Sequence, residues 1–142
     1  MNAGIPIAAG EAEISMQGFV EAIQGQICDI IQPDMPAMGG ITPLKRVATI
    51  AFANNIECHP HVFGTVIALP AAMQFMCAQP NYHSWCTFPN PVEIEWDVNP
   101  NSMARKLIKE PIEVQNGIIK IPYKPGFGVE INEDAIQEFL VK

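Results

Sequence analysis

Four ionisable residues in this chain could do proton chemistry together: Glu11, Asp34, His61 and Glu95. Histidine takes up and returns a proton near neutral pH, and a neighbouring carboxylate fixes its tautomer and favours the imidazolium it becomes. That combination suits general acid-base catalysis. Other uses of the same residues are weaker. Asp34 follows Pro33 and could simply cap a turn. Cys58, His59 and His61 carry zinc-type donors, but Cys58 and His59 would point to opposite sides of a strand and no fourth ligand is placed. Glu93 competes with Glu95 for the inward direction, and Glu95 is favoured.

Each of the four residues stands at or next to the C-terminal end of a segment that reads as a strand. The segments are Ile5 to Ala9, Ile27 to Ile31, Ile56 to His59 and Val92 to Trp96. Between them come helical patterns. Ser15 is a capping residue ahead of Met16, Phe19, Val20 and Ile23, which share one helical face. Thr42 and Pro43 read as a cap and a first-turn proline before Leu44, Val47, Ala48, Ala51 and Phe52. Residues 65–78 are again helical in character, with Pro70 predicting a kink or break. Strand then helix, repeated with connections too long for hairpins, implies an α/β fold with parallel strands. In a parallel barrel the C-terminal strand ends open on one face, so these four residues would converge on one pocket. The expected architecture is a partial, half parallel βα barrel of four strand-helix units over about residues 1–109. A β-hairpin around Asn116-Gly117 and a helix capped by Asn132 follow over about residues 110–142, within a single domain 1–142.

The 142 residues suffice for one domain, and 49% hydrophobic against 16% charged residues is the composition of a chain with a buried core. Fifteen acidic residues against eight basic ones give a net charge of −7, which argues against nucleic acid and anionic membrane surfaces as partners. The first residues lack a basic segment followed by an apolar one, so a cytoplasmic location is expected. Cys28, Cys58, Cys77 and Cys86 form no C-x-x-C pair and read as reduced thiols, with Cys28 and Cys77 as small buried hydrophobes. Met35, Met38, Met73 and Met76 read as packing residues. Tyr82, His83 and Trp85 lie in the loop before the fourth strand, where they could line the pocket or the surface.

Gly10-Glu11, Gln32-Pro33-Asp34 with Gly39-Gly40-Ile41-Thr42, His61 ahead of Phe63, and Ile94-Glu95-Trp96-Asp97 occur in that order. They resemble the later strand ends of the mandelate racemase and muconate lactonizing group of the enolase superfamily. Asn99-Pro100, Glu110-Pro111 and Lys124-Pro125-Gly126-Phe127-Gly128-Val129 resemble the C-terminal segments of its acid-sugar dehydratases and cycloisomerases. The resemblance implies Mg²⁺-dependent abstraction of an α-proton from a small carboxylate or acid sugar, leading to racemisation, dehydration or cycloisomerisation. It places Glu11 at the third carboxylate ligand of Mg²⁺, Asp34 and His61 at an Asp-His dyad, and Glu95 at the residue that bonds the substrate carboxylate in some members. It also implies two further metal carboxylates, often a Lys base, and a capping domain, none of which this chain contains. Mg²⁺ prefers octahedral oxygen coordination, so a single carboxylate is an incomplete site. A homo-oligomer, or a partner supplying the missing N-terminal half, is therefore expected. The alternative is a non-catalytic, self-assembling half barrel that keeps the dyad as a relic.

Overall fold

The computed structural model describes residues 4–64, 66–80, 92–100 and 105–141. Strand β1 (Ala8–Ala9), helix α1 (Met16–Gln24), strand β2 (Ile30–Ile31), helix α2 (Ile41–Ala53), strand β3 (Glu57–Cys58) and helix α3 (Ala68–Cys77) alternate along the chain. The strands are parallel and lie in the order β1-β2-β3, with Ala9, Ile31 and Cys58 side by side. Neighbours in sequence are neighbours in space, without the reversal of strand order that marks a doubly wound sheet.

The strands are shorter than the predicted segments: β2 keeps the last two residues of Ile27 to Ile31, and β3 the middle two of Ile56 to His59. Beyond β2 the chain meets Pro33, which has no amide hydrogen to donate, so the ladder lapses. It resumes one step later, where His61 N donates to Pro33 O (3.1 Å) and Asp34 and His61 pair in parallel register. The side chains alternate across this sheet. Ile31, Pro33, Cys58, Pro60 and Val62 are buried beneath the helices, whereas Gln32, Asp34, Glu57, His59 and His61 on the opposite face are only partly covered.

Phe19 and Ile23 of α1, Leu44, Val47, Ala48 and Ala51 of α2, and Leu69, Ala72, Met73 and Met76 of α3 form the core with that buried sheet face. Met35 and Met38 join them, so all four of these methionines are packing residues. Helix α1 starts where Ser15 Oγ accepts from Gly18 N at 3.0 Å. Helix α2 departs from expectation: it is capped by Gly40, not Thr42, and the reversal into it puts Gly40 at φ +111°, which a residue with a Cβ rarely adopts. Thr42 and Pro43 thus fall within the first turn, where a missing amide costs nothing. The same holds for Pro70, the third residue of α3, so no kink follows. Thr65 and the loop residues Tyr82, His83, Trp85 and Cys86 lie outside the described residues.

Two expectations fail on burial and pairing. Cys77 is exposed, because it ends α3 away from the side that buries Met73 and Met76. Residues 92–98 carry no ladder bonds, so Val92 to Trp96 is not a fourth strand among the described residues. A side chain ties this segment to the rest of the fold, as described below.

Toward the C-terminus, β4 (Val114–Gln115) and β5 (Ile118–Ile119) form an antiparallel hairpin. Asn116 and Gly117 turn it at φ +54° and +75°, the left-handed pair that a tight hairpin requires. The last helix, α4 (Glu133–Glu138), is capped by Asn132, and an antiparallel bridge between Ile108 and Ile131 closes this module.

Candidate active site

Residue parity puts His61 on the partly covered face at the C-terminal end of β3, where the helices do not reach. Its Nδ1 lies 2.7 Å from Glu95 Oε2, which also accepts from Val62 N at 2.8 Å. An ionised carboxylate can only accept, so Nδ1 is the nitrogen that carries the proton, and the lone pair of neutral His61 sits on Nε2. Both side chains are partly covered, 23% and 35% exposed, so the pair is shielded yet open to a ligand. The ring of Phe63 stacks on that of His61 with centroids 6.0 Å apart and planes 13° from parallel.

The four residues read from the sequence are thus placed unequally. His61 and Glu95 are joined directly, across a segment with no ladder bonds, and Glu93 is left exposed. Asp34 stands beside His61 in the strand register, but its Oδ1 accepts from Ala37 N at 2.7 Å. The carboxylate on the His61 ring is therefore Glu95, in place of the expected Asp34. The reason is local: three residues after Asp34 the chain turns back and offers an amide, which the short aspartate side chain reaches without leaving its own loop. Glu11 lies in the exposed turn after β1, where its Oε2 accepts from Gly10 N at 3.2 Å. Among the described residues no group of three or more His, Cys, Asp or Glu side chains could hold a metal ion. Glu11 by itself does not fit Mg²⁺, which calls for several oxygen ligands in octahedral array.

Sequence reasoning missed what surrounds the pair. One strand step along from His61, Glu57 and His59 form a second carboxylate-imidazole contact, Oε2 to Nε2 at 3.0 Å. The i, i+2 spacing of Glu57, His59 and His61 was the signal for a shared face. A cavity of about 560 Å³ is lined by Phe63, whose ring stacks on His61, and by Trp96, Arg105 and Ile112 among others. No sequence pattern links Phe63 to Arg105, because the fold brings them together from separate units.

Residues 1–135 match the family model described as enolase C-terminal domain-like. The chain belongs to that family. Within it, the D-galactarolactone cycloisomerase of Agrobacterium fabrum is 36% identical over 95% of this chain and 35% of its own length. The D-xylonate dehydratase of Haloferax volcanii is 30% identical over 96% of this chain and 31% of its own. Among solved structures, the 3,6-anhydro-D-galactonate cycloisomerase of Zobellia galactanivorans superposes with a TM-score of 0.82 at 33% identity, covering 99% of this chain and 37% of that one. An enolase from Pantoea ananatis with bound D-gluconate and Mg shares the fold, with a TM-score of 0.78 at 24% identity over 99% of this chain and 32% of that one. This family member thus spans about one third of the length of the curated relatives it matches. No helix among its described residues is long and apolar enough to cross a membrane.

Proposed function

We propose that this chain carries the acid-base part of an active site that removes the α-proton of an acid sugar, as a dehydratase or cycloisomerase does. The observation that carries this reading is the 2.7 Å contact between His61 Nδ1 and Glu95 Oε2. It leaves Nε2 as the base. As His61 takes a proton there, the Glu95 carboxylate at Nδ1 stabilises the imidazolium, and the proton can be returned to another carbon or to a leaving hydroxyl. Asp34, beside His61 in the register, is a second carboxylate within the same site.

The three parallel strands are, in this reading, a section of a βα-barrel wall, with residues 92–98 in the place of its next strand. The high superposition with relatives about three times as long supports this. Glu11 would serve Mg²⁺ only together with carboxylates from outside these residues, brought by a second copy or by a partner chain. The metal would supply charge to hold the enediolate. Every step assigned to this chain is one that its own residues perform: orienting the base, moving a proton at Nε2 and shielding the pair from water.

The test is uptake of deuterium from heavy water at the α-carbon of a panel of acid sugars, measured on the chain in its native assembly with Mg²⁺. General acid-base catalysis contributes about 10² to 10⁴-fold, so His61→Asn should lower exchange by at least about 10²-fold. No exchange with any acid sugar, or exchange that is indifferent to His61, would leave the relic reading in its place.

A further inference from the structure

A base that has taken a proton must lose it before it can act again, and His61 cannot pass it on through Nδ1, which Glu95 holds. The same face of the sheet offers Nε2 a neighbour. His59 N donates to Ile31 O at 3.0 Å, just as His61 N donates to Pro33 O at 3.1 Å, so both residues keep strand geometry and face alike. Two residues along a strand are separated by about 6.6 Å, which is within the reach of one bridging water. Glu57 Oε2 lies 3.0 Å from His59 Nε2. An ionised carboxylate can only accept, so neutral His59 carries its proton on Nε2 and its lone pair on Nδ1, the opposite tautomer to His61. The other polar groups of this face are less suited to receive a proton. Asp34 Oδ1 is engaged by Ala37 N, and the amide of Gln32 has no basic nitrogen.

We propose that Glu57 and His59 form a proton relay that resets His61. The relay rests on the function proposed above and adds where the abstracted proton goes. Once His61 carries that proton at Nε2, the new N–H donates to a bridging water. The water gives one of its own protons to the lone pair of His59 Nδ1 and receives the proton of His61. One N–H bond breaks at His61, one forms at His59, the water is regenerated and the positive charge moves from one imidazole to the other. The Glu57 carboxylate at Nε2 stabilises the imidazolium formed at His59, as Glu95 does at His61. His59 acts on the reaction through His61 and is a positioning residue for the proton, not a group that touches substrate.

The test is an acid sugar carrying deuterium at its α-carbon, turned over in light water by the chain in its native assembly with Mg²⁺. The relay hands the abstracted deuteron on to solvent, so mass spectrometry should find little label returned to the recovered sugar or its product. His59→Gln and Glu57→Gln should each raise the returned share several-fold, with a smaller loss of turnover than His61→Asn. Nitrogen-15 NMR gives a readout that needs no turnover, with only three histidines to assign. Neutral His59 should be the Nε2–H tautomer and neutral His61 the Nδ1–H tautomer. Circular dichroism checks that each variant folds. A returned share unchanged in both variants while exchange persists, or His59 found as the Nδ1–H tautomer, would overturn the relay and leave the proposed function standing. No exchange by the unmodified chain would remove the proposed function and the relay together.

Discussion

The choice between Glu95 and Asp34 as the partner of His61 is open to a direct comparison of rates. Glu95→Gln keeps an acceptor for Nδ1–H but removes the negative charge that favours the imidazolium, and should slow α-proton exchange on the order of 10²-fold. Asp34→Asn keeps an acceptor for Ala37 N and should slow it less; the reverse order would show that Asp34 moves onto His61 in the working assembly. The thiols give a second test at this scale. Burial pushes the Cys58 thiol up to about 12, whereas Cys77 is exposed. At pH 8 a thiol reagent should label Cys77 quickly and leave Cys58 unmodified until the chain unfolds, as peptide mass spectrometry would show. Above its ordinary value of 9.0 the unfolded chain ionises Cys58 while the folded chain does not. Its contribution to stability is therefore intact below about pH 9 and is lost as pH rises toward about 12. A urea midpoint that stays level over that window in the wild type, and equally in Cys58→Ala, would contradict it.

Among the described helices, α2 starts from a cap residue held at positive φ. Gly40 at φ +111° has open space around its missing side chain, so Gly40→Ala isolates backbone strain from steric contact. It should cost about 1 to 3 kcal/mol in chemical denaturation, and an unchanged midpoint would show that the turn adapts. Leu44, fully buried on the same helix, should cost about 2 to 5 kcal/mol as Leu44→Ala. Ser15→Ala removes the acceptor for Gly18 N and should cost about 1 kcal/mol, so the expected order is Leu44 above Ser15, with Gly40 between or level. The helices themselves were legible in advance, because their apolar faces recur at helical period and that pattern is local. Their starts were less so. Thr42 and Pro70 are good cap and break signals, yet Gly40 and Ile67 took the cap positions, since the turn geometry before each helix decided where the first turn began.

For the whole molecule, β1 and β3 are the edges of the sheet among the described residues, and Ile5 and Ile7 are exposed next to β1. Open edges and uncovered apolar side chains promote pairing, so light scattering should find a dimer or larger species; a monomer across micromolar concentrations would refute this. Mg²⁺ should raise the melting temperature of such an assembly only if it brings carboxylates to Glu11. A rise at submillimolar metal that Glu11→Gln abolishes would identify a completed site, and no rise is expected for the chain by itself. The sequence alone determined the alternation of strand and helix and the hairpin at Asn116-Gly117, because each is written in local periodicity or turn chemistry. It also carried the family, since the motifs stand in order along nearly the whole chain. Only the tertiary structure decided that residues 92–98 are tied in by a carboxylate and not, among the described residues, by backbone pairing, and that His61 meets Glu95 while Asp34 turns to Ala37. Those outcomes depend on which of several competent groups arrives within hydrogen-bond reach. That is set to within a fraction of an ångström by packing between segments far apart in the chain, which no local pattern records.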